Sequence, residues 1–168
     1  MGRRLDIYLG YGVFLPEVDD SAEGGYDLIS RAKYTLSAQH GNPRYHHEVV
    51  DRPPRDQFSD YEAWKACVTQ MEDDWYKNDP EGRRRKALND EWDAIGIDYR
   101  FSGIESASND CLVDVGTLIA TEHYPKPIRT FPEAPTDFLP RLEKLIKLSD
   151  KDWKIEKDPS WLLFGSFW

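Results

Sequence analysis

Cysteine is nearly absent. Only Cys67 and Cys111 occur, far apart and outside any C-x-x-C spacing, which excludes a disulfide framework and a zinc ribbon. No Asn-x-Ser/Thr acceptor is present either, and both features fit a reducing, cytoplasmic setting. Long hydrophobic runs are missing too: the longest, Trp161 to Trp168, falls far short of the ~20 residues that cross a bilayer. The opening MGRRLDIYLGYGVFL is interrupted by Asp6 and has no small-residue cleavage site after it, so no secretory leader is expected. Asp6 also stands where a myristoylation motif on Gly2 needs Ser or Thr. Positive charge is in deficit, with 22 Lys and Arg against 31 Asp and Glu and a net charge of −9. That balance repels phosphate backbones and anionic membranes at long range, so nucleic acid and membrane are disfavoured partners. Large non-polar residues other than Trp, Tyr and Met are sparse. Leu, Ile, Val and Phe make up about a fifth of the chain, near the ~20% line below which disorder sets in.

Aromatic residues make up the shortfall. Six Trp, nine Tyr and seven Phe each bury roughly 150–250 Å², and 168 residues suffice for one domain with one core. A single domain spanning residues 1–168 is expected. Ile7, Leu9, Tyr11, Val13 and Leu15 alternate with Tyr8, Gly10, Gly12 and Phe14, the period of a strand apolar on both faces. Gly10 and Gly12 share a face, which points to a close neighbouring backbone or helix. Residues 16–58 read as a long insertion, acidic from Pro16 to Gly25 and proline-bearing from 40 to 57, with a short helix carried by Leu28, Ile29, Ala32 and Leu36.

Beyond it, Ser59 and Glu62 form a capping box, and Tyr61, Trp64, Val68, Met71 and Trp75 recur at helical spacing. Asp79-Pro80 ends that helix and opens a second one, with Leu88, Trp92 and Ile95 as its stripe and Gly96 as its stop. Strands follow at 97–104 and 111–121, joined by Ser106 to Asp110. Thr136 caps a helix carrying Phe138, Leu139, Leu142, Leu145 and Ile146, and Trp161 to Trp168 close the chain as a strand. Strand, helix pair, strand, strand, helix, strand is the β-α-β-β-α-β order of a ferredoxin-like sheet with a long insertion after its first strand. The fold class read from the sequence is therefore α+β, an antiparallel-rich sheet packed with helices.

Three chemistries can be asked of these residues. His40, His46, His47, Glu48 and Asp51 crowd one loop and His123 follows a strand; imidazole and carboxylate are donors for zinc or iron, so a small metal-dependent hydrolase is the alternative reading. No H-x-x-x-H helix pair or cysteine supports it, and no cofactor is expected. Glu17, Asp19, Asp20, Glu23 and Asp27 have the look of a solvated acidic loop, not a general-acid pair. The run Arg83-Arg84-Arg85-Lys86 follows Asp79 and Glu81 at i,i+4, which is ordinary helix support.

The remaining feature is acid beside bulky aromatics: Glu72-Asp73-Asp74 followed by Trp75-Tyr76, and Asp90-Glu91-Trp92-Asp93. Aromatic anchors ringed by charge suit protein interfaces, so Glu72, Asp73, Asp74, Trp75 and Tyr76 are the candidate partner-binding residues. In character this resembles immunity, antitoxin and anti-defence inhibitor proteins, which implies a non-enzymatic domain binding a protein with a basic surface. The Gly10-Tyr11-Gly12 opening strand and the tryptophan-rich final strand also resemble small uncharacterised proteins of phage and fungal genomes, a likeness that implies no activity.

Overall fold

The alternation that begins at Ile7 forms β1, Leu5–Phe14, on which the sheet is assembled. In the computed structural model, which describes residues 5–15, 25–104, 107–121, 133–150 and 158–167, β1 is followed by α1 (Gly25–Gln39), α2 (His46–Val49), α3 (Tyr61–Asn78) and α4 (Pro80–Ile95). Then come β2 (Ile97–Ile104), β3 (Ala107–Asp114), β4 (Ile119–Thr121), α5 (Phe138–Ser149) and β5 (Ser160–Phe167). Every strand pairing is antiparallel, so the protein is α+β. The chain divides into two compact units, Met1–Lys33 with Ala94–Trp168, and Tyr34–Asp93.

In the first unit β1 is central. β5 runs along one side of it, from Leu5↔Phe167 to Gly12↔Ser160, while β3 and β4 share the other side. The expected single strand 111–121 is broken, and the register says why. Between Gly12↔Val113 and Leu9↔Ile119, three steps along β1 face six along its partner, so three residues must leave the ladder. The turn Val115–Thr117 is that excursion. Tyr11 N–H, which faces the gap, donates to Thr117 Oγ1 at 2.9 Å, and that hydroxyl donates to the Asp114 carbonyl at 2.9 Å. β2 pairs with β3 from Ile97↔Asp114 to Ile104↔Ala107. The turn-forming residues Ala107 to Asp110, expected as a connector, are thus strand, because a continuous partner overrides their local preference.

Close approach to a neighbouring backbone is what Gly12 provides, since a Cβ there would sit 2.1 Å from the Leu112 carbonyl oxygen. Cys111, Val113 and Leu162 cluster with Tyr8 and Leu118 on one face of the sheet. On the other, Tyr11 meets Phe138 of α5 and Trp161 edge-on, with ring centres 5.5 and 5.6 Å apart. α5 buries Phe138, Leu142, Leu145 and Leu148, whereas Leu139, expected in its stripe, is 41% exposed. Its first turn begins after Asp137, not Thr136; the Asp137 carboxylate is engaged by Arg141 Nη2 at 3.1 Å. Arg141 also donates through Nη1 to the Ile95 carbonyl at 3.0 Å and through Nη2 to the buried Asp114. Burial opposes the Arg141 charge, but Asp114 and then Asp137 outweigh it and hold the guanidinium above its ordinary value.

α1 is longer than its four apolar positions foretell. Leu28, Ile29, Ala32 and Leu36 are all buried, and the helix ends where Gly41 (φ 75°) and Asn42 (φ 50°) turn left-handed and Asn42 N–H bonds the Ser37 carbonyl at 2.8 Å. Residues 25–39 of the supposed insertion are therefore helical.

In the second unit α3 starts from Asp60, whose carboxylate accepts from Ala63 N–H at 2.8 Å. Ser59, expected as the cap, lies one residue outside. Asp79 closes α3 through its N–H to the Trp75 carbonyl at 3.0 Å. Its carboxylate then opens α4 by accepting from Glu81 N–H at 2.7 Å and Gly82 N–H at 3.3 Å. The α3–α4 turn is tight enough that a Cβ on Gly82 would meet the Trp75 carbonyl oxygen at 2.1 Å.

Candidate functional site

Residues 40–53 form a strap whose side chains run backward along the α3–α4 hairpin. Pro43 and Pro53 bound the single helical turn α2 within it, and the rest of its backbone follows the hairpin. His40 Nε2 lies 2.9 Å from Glu91 Oε2. Arg85 reaches up from α4, donating to the Pro43 carbonyl at 3.1 Å with its guanidinium 3.5 Å from the centre of the Tyr45 ring. Arg44 grips Glu81 with three bonds, N and Nε to Oε1 at 3.0 and 3.2 Å and Nη2 to Oε2 at 3.1 Å. That hydrogen bonding holds the Glu81 carboxyl below the usual glutamate range and Arg44 above its own.

Farther along, the His46 ring packs on Trp75, centres 5.4 Å apart, with Nδ1 3.7 Å from Glu72 Oε1. Arg52 Nη2 reaches the same Glu72 oxygen at 3.4 Å, and Trp64 Nε1 donates to the Pro53 carbonyl at 2.9 Å. As the strap number rises from 40 to 53, the partner number falls from 91 to 64.

Of the five residues read as partner-binding, the structure separates two roles. Asp73 and Asp74 are exposed, and Asp74 accepts from Gln70 Nε2 one turn back at 3.0 Å. Glu72 is half-buried beneath His46 and Arg52. Trp75 is only 6% exposed, because His46 and Tyr76 pack against it with ring centres at 5.4 and 5.1 Å. Tyr76 is half-buried. Large aromatics stand outward at other positions of the unit: Tyr34, Tyr45 and Tyr61 are exposed, the last with Arg55 5.3 Å from its ring centre.

The histidines go separate ways. His40 joins Glu91, His46 joins Trp75 and Glu72, and the exposed His47 stacks on Tyr45 at 5.6 Å and 22°. Among the described residues no three of His, Cys, Asp and Glu gather as a metal site; His123 lies outside the described residues, as do Glu17, Asp19, Asp20 and Glu23. In the basic run, Lys86 makes an i,i+4 pair while Arg83 and Arg85 bond backbone carbonyls instead. Arg83 donates to the Lys77 and Asn78 carbonyls at the end of α3, Arg85 is buried beneath the strap, and Lys86 pairs with Asp90 at 2.7 Å.

Sequence reasoning missed Arg44 and Arg52, and it paired Glu81 with Arg85 where the structure pairs it with Arg44. Partners 20 and 37 residues apart leave no local period; the one available signal is an arginine-bearing, proline-punctuated segment ahead of an acidic helix. No helix among the described residues is long and apolar enough to cross a membrane. Comparison with protein-family models, with curated proteins and with solved structures finds no match to this chain.

Proposed function

We propose that this is a non-enzymatic, acidic protein-binding domain of the inhibitor kind, acting in the cytoplasm on a partner with a basic surface. The observation that carries the reading is on α3: exposed Asp73 and Asp74 beside Glu72, on a hairpin whose Glu72 and Glu81 already hold guanidinium groups at 3.4 and 3.1 Å. Carboxylates so placed attract cations from a distance, and arginine gives them directional bonds once docked. The strand order β5, β1, β3 with β4, β2 supports a ferredoxin-like description of the sheet, with the second unit carrying the recognition surface.

The test isolates the binding partner from the source cell and measures its affinity for the parent and for Asp73→Ser with Asp74→Ser. Both side chains are exposed, so the fold is retained. Weaker binding by several-fold supports the reading. Unchanged affinity, a nucleic acid as the specific partner, or turnover of a small substrate by the pure protein contradicts it.

A further inference from the structure

We infer that the strap, residues 40–53, is a built-in pseudo-ligand that occupies the acidic and aromatic face of the α3–α4 hairpin and must be displaced by the partner. The inference rests on the protein-binding reading above and names what that face recognises: a segment presenting two arginines with an aromatic or imidazole ring between them. Arg44 sits on Glu81 and Arg52 on Glu72, while His46 covers Trp75. The same residues that make the helix an acidic, aromatic surface in the sequence, Glu72 and Trp75, are the ones the strap covers.

The way the strap is held favours displacement. Its two arginines are largely in water, with side chains 60% and 46% exposed, and exposed ion pairs contribute little to stability. Beneath it the closed form buries polar atoms whose hydrogen bonding is incomplete. His46 Nδ1 and Nε2, Trp75 Nε1 and Arg85 Nε are buried and form no hydrogen bond within the protein, in residues that are 4%, 6% and 8% exposed. Buried polar atoms left without hydrogen bonds oppose closure. Against this stand the bonds of Arg44, the Arg85 contact with Pro43 and Tyr45, and the packing of His46 on Trp75. Attraction through exposed charges and opposition from buried polar groups describe an element that opens locally. A tethered segment needs only weak contacts to stay closed, because a short linker presents it at an effective concentration of order mM.

The experiment uses the full chain, as parent and as Arg44→Ser with Arg52→Ser, and a synthetic peptide of residues 40–53 as probe. Hydrogen exchange is followed at Glu48 and Val50, whose N–H groups bond the Tyr45 and His46 carbonyls at 3.0 and 2.8 Å, and at amides inside α3 and α4. The expected result is faster exchange at Glu48 and Val50 in the variant with α3 and α4 still protected, and peptide binding at least about tenfold tighter to the variant than to the parent. Strap amides as slow in the variant as those of the helices overturn the inference. So do equal peptide affinities, or loss of the helical circular dichroism, which would make the strap part of the fold. The peptide assay contains no external partner, so it can succeed even if the protein-binding reading fails. A partner that binds parent and Arg44→Ser/Arg52→Ser equally well leaves the binding reading standing and removes this one.

Discussion

Replacing Arg141 by methionine should be among the most damaging single changes in the first unit. Asp114 is only 4% exposed as a residue, and Arg141 is its ion-pair partner, sharing the guanidinium with Asp137 and the Ile95 carbonyl. Methionine keeps most of the buried stem volume, so the change is chiefly one of charge. Removing one member of a buried pair costs about 3–5 kcal/mol, because the other charge stays desolvated. The lost bond to the Ile95 carbonyl adds roughly 0.5–1.5 kcal/mol. The Asp137 contact adds little, since that carboxylate is 68% exposed. A total near 4–6 kcal/mol is about a quarter or more of a typical domain stability of about 5–15 kcal/mol. Urea unfolding, read as a shift in midpoint at unchanged slope, measures it. A double change, Arg141→Met with Asp114→Leu, should recover much of the loss, because no buried charge is then left alone. A loss below about 1 kcal/mol in the single variant would refute the view of Asp114 and Arg141 as a mutually dependent buried pair.

Within helices Gly→Ala ordinarily stabilises by about 0.5–1 kcal/mol, yet Gly82→Ala, in the first turn of α4, should destabilise by about 1–3 kcal/mol. Its new Cβ would meet the Trp75 backbone at 2.1 and 2.7 Å, and urea midpoints decide the sign. Thr117→Val strands Tyr11 N–H and should cost about 1–3 kcal/mol, read in the same assay; a neutral result would show that donor satisfied by another acceptor. Glu81→Gln should lower the melting temperature near neutral pH but not in strong acid. The Glu81 carboxyl is held below its ordinary value of 4.5, so its contribution is present above that value and is lost as pH falls through the lowered one. Melting curves of parent and variant from about pH 7 to pH 3 should therefore converge toward the acid end; a gap independent of pH contradicts this.

α3 and α4 are legible in the sequence because their signals are local: Asp79 can both end one helix and cap the next, and Gly96 stops the second with φ of 55°. Gly12 is legible for the same reason, as a gap in an otherwise apolar strand face. What escapes is non-local. Nothing within residues 111–121 foretells the excursion at Val115–Thr117, which exists because β1 must register with β3 at one end and β4 at the other. α1 is underread since, among its residues of described burial, Leu28, Ile29, Ala32 and Leu36 alone carry the buried face. In the candidate site the acids at 72–74 are visible as a run, but that Trp75 turns inward depends on His46, twenty-nine positions earlier. The strap carries no period of its own. Its order comes from contacts with α3 and α4, made by His40, Arg44, His46 and Arg52 among its side chains.

The central claim, that exposed carboxylates on α3 steer a basic partner onto this domain, is tested most directly by the ionic-strength dependence of the association rate. The Debye length falls from ~10 Å at 0.1 M salt to ~3 Å at 1 M, so steering by Asp73 and Asp74, both at the surface, should fade across that range. Stopped-flow association of the purified partner with the parent should slow steeply as salt rises. With Asp73→Ser and Asp74→Ser it should begin slower and respond less, the dissociation rate changing little. Parallel salt dependences for parent and variant would contradict the claim, placing the encounter surface away from α3.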